Sequence, residues 1–172
     1  MKDKLKVKDK LEVRLRRKSK MQEGITLTGQ YEVRRIDKKT GKILEVEKGH
    51  NLVVTDGKSR VRDLIGNIIT GGVGFSHVAI GTGTNAVAVG DTELQTETTR
   101  ASATISALST DRVVFEHTFT FGTGENYDIT EAGIFDSGTI TGSVMFDRFK
   151  FATAKSVDLD TDLYIKITIT VS

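Results

Sequence analysis

At 172 residues, 37% hydrophobic and 28% charged, the chain is long enough for one domain with a core of its own, and it keeps much polar surface. It has no cysteine and no proline, which excludes disulfides, thiolate metal sites and cysteine nucleophiles and leaves the turns to Gly, Asn, Asp, Ser and Thr. The net charge of +2 is unevenly spread: residues 1–20 hold ten Lys/Arg and three Asp/Glu, the other 152 hold fifteen and twenty, so a mildly acidic body carries a basic arm.

No apolar run reaches the roughly 18 residues that span a bilayer, so no membrane partner is expected. No apolar segment follows the basic start as a secretory signal requires. Within the arm, Leu5, Val7, Leu11, Val13 and Leu15 all fall on odd positions with charged residues between most of them. That is the period of a half-buried strand. The pattern echoes at Ile25, Leu27, Tyr31 and Val33, which supports the strand reading, and Arg16 to Lys20 reads as a solvated connector. The domain proper is expected over 25–172, with 1–24 as the arm.

Ile25 to Val33 and Ile43 to Val46 read as a hairpin about a turn at Asp37–Gly41, where Gly41 can take positive φ. Asn51–Val54 reads as a further short strand. Thr55-Asp56-Gly57 reads as a helix start, with Val61, Leu64, Ile65, Ile68 and Ile69 forming one apolar stripe destined for a sheet and Gly71-Gly72 as the stop. His77 to Arg100 is the densest run of signals: a strand at His77–Ile80, a break at Gly81 to Thr84, and a short helix or turn capped by Asp91 or Thr92. Ala101–Leu108 is small and polar, ahead of a turn at Ser109–Arg112. Val113, Phe115, Phe119 and Phe121 give the next strand an aromatic, core-directed face. Ile129–Phe135 reads as short and glycine-broken. Val144–Phe151 and Leu163–Val171 alternate, the latter most cleanly. Many short strands, glycine turns and one helix predict a mainly β fold, a β-sandwich or jelly-roll-like domain with one short helix.

Reaction centres are hard to find. Gly81-Thr82-Gly83-Thr84 lacks the lysine of a phosphate loop, and position 86 is alanine where a dinucleotide fingerprint needs glycine, so a tight turn is expected. His50, His77 and His117 do not sit at metal-ligand spacing, and His117, beside Phe115 and Phe119, reads as packed. Asp158, Asp160 and Asp162 alternate as calcium ligands can, without the glycine and glutamate of an EF-hand loop. Glu131 and Asp136 cannot be paired as acid and base by sequence alone. No serine–histidine–acid context is present. Enzyme activity, a metal and a cofactor are therefore not expected. For the arm, the expected role is docking onto a neighbouring protein through Leu5, Val7, Leu11, Val13, Leu15, Arg14, Arg16, Arg17 and Lys18. The other readings are an edge strand protected by its lysines and nucleic-acid contact, the weaker because no aromatics are interleaved with the charges.

Three segments together resemble a family of small structural proteins of tailed bacteriophages. They are Asn51–Gly57 leading into the helix; His77–Thr84 followed by Asp91, Glu97 and Arg100; and Ile129–Phe135, with Glu131 and Gly133, followed by Phe146-Asp147-Arg148. The resemblance covers about residues 25–172. It implies a non-enzymatic virion component, of tail-fibre, baseplate or capsid-decoration type, that docks to other virion proteins. It also implies a homo-oligomer, with a trimer as the stoichiometry, and a motif loop built on His77, Gly81, Gly83, Asp91, Glu97, Arg100, Glu131, Gly133 and Arg148. A carbohydrate- or cell-surface-binding module is the alternative. It is weakened by the absence of tryptophan and the presence of three tyrosines.

Overall fold

The computed structural model describes residues 24–68 and 74–172. Nine antiparallel strands and one helix follow in the order β1 (Leu27–Asp37), β2 (Ile43–Val53), α1 (Thr55–Ile65), β3 (His77–Gly81), β4 (Glu97–Ser102), β5 (Thr104–Ser109), β6 (Arg112–Thr120), β7 (Tyr127–Phe135), β8 (Met145–Val157) and β9 (Thr161–Val171). All nine belong to a single sheet of order β4-β3-β7-β8-β2-β1-β9-β6-β5. Among the described residues the expected mainly β fold with one helix forms, as one curled sheet.

The sheet folds at its thinnest seam. β2 and β8 are joined by two residue pairs, Leu52 with Arg148 and Val53 with Asp147. On either side of that seam the halves turn toward each other and share one core. Leu163, Ile165, Ile167 and Ile169 of β9 meet Phe149 and Phe151 of β8 and Ile80 of β3 in the same buried cluster. Tyr31 of β1 stacks on Phe149 with ring centroids 4.3 Å apart. The strict alternation of β9 produces this directly, because every second side chain of a strand points to one face. Its Tyr164, Lys166, Thr168 and Thr170 stay half-exposed on the other face. The β1–β2 turn forms as expected, with Gly41 at φ 69°.

Several local expectations are corrected. Asn51–Val53 is not a separate strand but the end of β2, held in the β1 ladder from Gly29 opposite Asn51. Along β2 the apolar side chains do not mark the buried face. Leu44 and Val46 are exposed while Glu47 lies inside against Tyr31 and Lys155. The helix stops at Ile65, where the Gly66 N–H bonds to the Arg62 carbonyl and Asn67 takes a left-handed φ of 49°, the usual chemistry of a C-terminal stop. Its stripe does not lie on the sheet. Val61 packs against the core, whereas Leu64, Ile65 and Ile68 are exposed; Ile69 and Gly71-Gly72 lie outside the described residues. Of the helix or turn expected between Gly81 and Arg100, the turn forms: the chain crosses as a loop over residues 82–96, with Asp91 accepting the Ala88 N–H, and then enters β4. Ala101–Leu108 divides at Ala103 into β4 and β5. Ile129–Phe135 runs through Gly133 without a break, as one strand; Glu131–Phe135 pairs with β3, and the β8 ladder shifts register after Ile129 and after Ile134. The arm residues Leu5, Val7, Leu11, Val13, Arg14, Leu15, Arg16, Arg17 and Lys18 lie outside the described residues.

Candidate functional site

The three motif segments, far apart in sequence, meet on one face of the β4-β3-β7-β8 half. The register sets Ala79 of β3 opposite Gly133 of β7 and Arg100 of β4, and Gly133 opposite Arg148 of β8. Residues at matched positions point to the same face. Glu131, Gly133 and Arg148 therefore face away from the main core, beneath the 82–96 loop. A second apolar cluster of Val54, Ala79, Leu94, Phe135 and Met145 fills the rest of that face.

Glu131 is the centre of the arrangement and is fully buried. Its Oε1 accepts the backbone N–H groups of Gly83 at 3.0 Å and Thr96 at 2.9 Å. Its Oε2 accepts the Gln95 N–H at 3.2 Å and the Arg148 Nε–H at 2.7 Å. Arg148 Nη1 reaches Asp91 Oδ2 at 2.7 Å. Asp91 also accepts the Ala88 N–H at 2.9 Å. Burial pushes the Asp91 carboxyl up, but that N–H and the guanidinium outweigh it and hold it below the usual carboxylate range. Lys150, next on the same face, donates to the Thr84 carbonyl, and Thr130 Oγ1 donates to the Gly83 carbonyl at 2.6 Å. Both ends of the loop are thus sewn to β7 and β8 by charged and hydroxyl groups whose partners are all supplied.

Gly83 is required by this carboxylate and Gly133 by the β8 backbone. A Cβ on Gly83 would stand 2.5 Å from Gln95 Cβ and 2.7 Å from Glu131 Cδ, and one on Gly133 would stand 2.5 Å from the Asp147 carbonyl oxygen. A close approach of backbone to a buried group needs glycine.

Arg100 forms a second knot. It holds Glu97 with Nε–Oε1 at 2.9 Å and Nη2–Oε2 at 2.8 Å. Its Nη1 donates to the Ser137 and Thr139 carbonyls and to Ser143 Oγ at 2.8–3.0 Å. Its guanidinium lies 3.7 Å over the Phe135 ring, a favourable cation–π placement. The loop between β7 and β8 is fixed as a result. His77 belongs to neither knot; its ring nitrogens face Ser76 Oγ at 2.8 Å and Ser102 Oγ at 3.2 Å. His117 packs edge-on to Phe119 at 4.6 Å.

Two further buried polar groups stand apart from the knots: Asp147, which the sequence offered only within the Phe146-Asp147-Arg148 segment and without a role, and Lys155, which it did not single out. Asp147 is fully buried, accepts the Ile134 N–H at 2.9 Å and meets the Asn51 amide; burial pushes its pKa up to about 7. Lys155, equally buried, bonds Glu45 Oε1 at 2.5 Å and Glu47 Oε2 at 2.7 Å, while Glu47 also accepts the Ala152 N–H at 2.8 Å. These side chains bridge β2 and β8 where their ladder has ended. The one visible signal was phase: Glu45 and Glu47 share parity with Asn51 of β2, and Lys155 shares parity with Phe151 and Val157 of β8.

A carboxylate with four donors and no exposure has no free lone pair to offer a substrate, so Glu131 and Arg148 act on the fold. Among the described residues no group of three or more His, Asp or Glu is placed to hold a metal ion, and Asp158 instead accepts from Asp160 N and Thr161 Oγ1 within its turn. No helix among the described residues is long and apolar enough to cross a membrane. No protein-family model, curated protein or solved structure matches the chain.

Proposed function

We propose that the protein is a non-enzymatic structural subunit of a tailed-phage virion, decorating the capsid or forming part of a tail fibre or baseplate. It docks to other virion proteins, copies of itself included, through the N-terminal arm and the strand edges. The observation that carries the reading is the convergence of the second and third motif segments on a buried clasp whose central carboxylate is fully satisfied, with the first segment touching the same loop through Thr55 and Val89. Glu131, Arg148, Asp91 and Arg100 convert two loops into fixed surface. A particle component needs such a rigid, self-supporting body, and a fully satisfied buried polar network rigidifies and specifies one arrangement. The arm adds a charged, strand-patterned segment suited to pairing with a neighbouring edge.

The test is immunogold electron microscopy of intact particles from the source with antibody against residues 101–172. Label over the head assigns a decoration role, and label confined to the tail or its tip assigns a fibre or baseplate role. Absence of label from every particle refutes the virion reading. A second reading has one observation in its favour. A cleft of about 270 Å³ is lined by His117, Glu125 and the half-buried Tyr127, and an aromatic ring beside an acid suits a sugar. A glycan-array signal that disappears with Tyr127→Ala would establish that module; no signal removes it.

A further inference from the structure

We propose that the open edge of β5 receives the arm of a neighbouring copy as an added strand; this rests on the subunit reading above and names the surface that the arm occupies. The sheet ends in β4 on one side and β5 on the other, and the two edges are built differently. Four of the six β4 residues are half-buried, and Glu97 and Arg100 are locked together on it. All six residues of β5 are exposed. Among the described residues its main chain pairs with β6 alone. Sheet edges are ordinarily guarded against pairing by lysines, inward charges or proline. From Ala101 to Thr110 there is no charged residue at all, in a chain 28% charged. Ile105 and Leu108 on this edge are 46% and 56% exposed. The sole guard is the register shift between Ala107 and Ser109.

The facing of β5 defines what fits. Ile105 stands opposite Phe115, and Ala107 opposite Val113, so both point to the core side of the sheet. An added strand with apolar residues at every second position would continue that face. The arm has this pattern at Leu5, Val7, Leu11, Val13 and Leu15. Its basic residues would then turn to the other face, where Glu116 lies opposite Thr104 and Asp111 ends the edge; both acids already have partners in Tyr164, Lys166, Ser109 and Arg112, so the attraction is that of the whole body for the arm. Opposite net charges on arm and body favour the encounter. The donor is a second copy because the subunit reading above requires a contact between copies, and an arm that crosses to a neighbour's β5 supplies one.

The cysteine-free chain makes the test clean. Full-length Ser106→Cys protein is mixed with full-length protein carrying Lys10→Cys, Glu12→Cys or Arg14→Cys, and the mixture is oxidised; neighbouring strands bring Cα atoms within disulfide range. The expected result is a disulfide-linked pair that needs both partners, is strongest for one arm position, and falls at least tenfold when Ile105→Lys is added to the Ser106→Cys protein. Oligomers that form without any mixed cross-link overturn the proposal, as does a doubly substituted protein that closes only within one chain. Cross-linking by purified protein while source particles carry no label would keep the edge pairing and reject the virion reading. Labelled particles without cross-linking would do the reverse.

Discussion

Neutralising Glu131 leaves Arg148 in a dry site with Asp91 as its one remaining acid. Breaking a buried pair from one side typically costs about 3–5 kcal/mol, so Glu131→Gln should lower stability by that order in urea unfolding; a loss under about 1 kcal/mol would show that the clasp is not closed. Gly83→Ala should cost about 1–3 kcal/mol through overpacking against the same carboxylate, whereas Gly90→Ala, where a Cβ meets nothing within 4 Å, should stay within about 0.5 kcal/mol. The sequence marked Gly83 as a turn glycine. Its actual constraint, a glutamate forty-eight positions away, is not written locally. Asp147 sets the pH response. Its folded pKa of about 7 lies above the unfolded value of about 3.9, so the folded state keeps a proton that the unfolded state has released. Stability from this group therefore falls as pH rises from about 4 to 7, by on the order of 4 kcal/mol. Asp91 and Glu47 have the opposite sign: burial raises them, but the Ala88 N–H and Arg148 at Asp91, and Lys155 at Glu47, pull them lower overall. Their contribution is present above the unfolded value and lost in acid. Urea midpoints at about pH 4.5 and 7.5 should thus diverge in the wild type and converge in Asp147→Asn; equal slopes in both would refute the assignment.

At the scale of elements, legibility tracked how simple each environment is. β9 has a core on one face and solvent on the other, and its alternation announced both. β7 is covered on both faces, by the main core and by the 82–96 loop, so Ile129–Phe135 showed no period and looked broken at Gly133. β2 misled because its apolar Leu44 and Val46 turn outward while Glu45 and Glu47 turn in to meet Lys155. A strand's phase depends on which neighbour sits across the seam, and no local pattern records that. α1 misled because its stripe is real but the sheet surface beyond Val61 is not available to it. These differences predict the order of amide exchange. β9, flanked by β1 and β6, should exchange last, at the rate of global unfolding, and Leu64–Ile68 should exchange among the first. Protection at the helix end equal to that of β9 would contradict the packing described.

The whole molecule is a ribbon whose halves depend on a common core, so neither should persist alone. Far-ultraviolet dichroism and tyrosine fluorescence should give coincident urea transitions; two separated transitions would show that the halves fold independently. One further property follows from where β1 lies. Leu27 to Asp37 is clamped between β2 and β9 near the middle of the ribbon, and at its entrance Thr26 exchanges two main-chain hydrogen bonds with Ser172, at 2.6 and 3.0 Å. Tension entering at Gly24 consequently has two possible fates, set by direction. Pulled against Ser172, the paired strands peel apart one bond after another at low force. Pulled against the Asp37 end of the sheet, the eleven paired residues of β1 are loaded in shear together, and they must yield as a group or hold. A tether attached at residue 24 is therefore strong along the strand axis and weak across it.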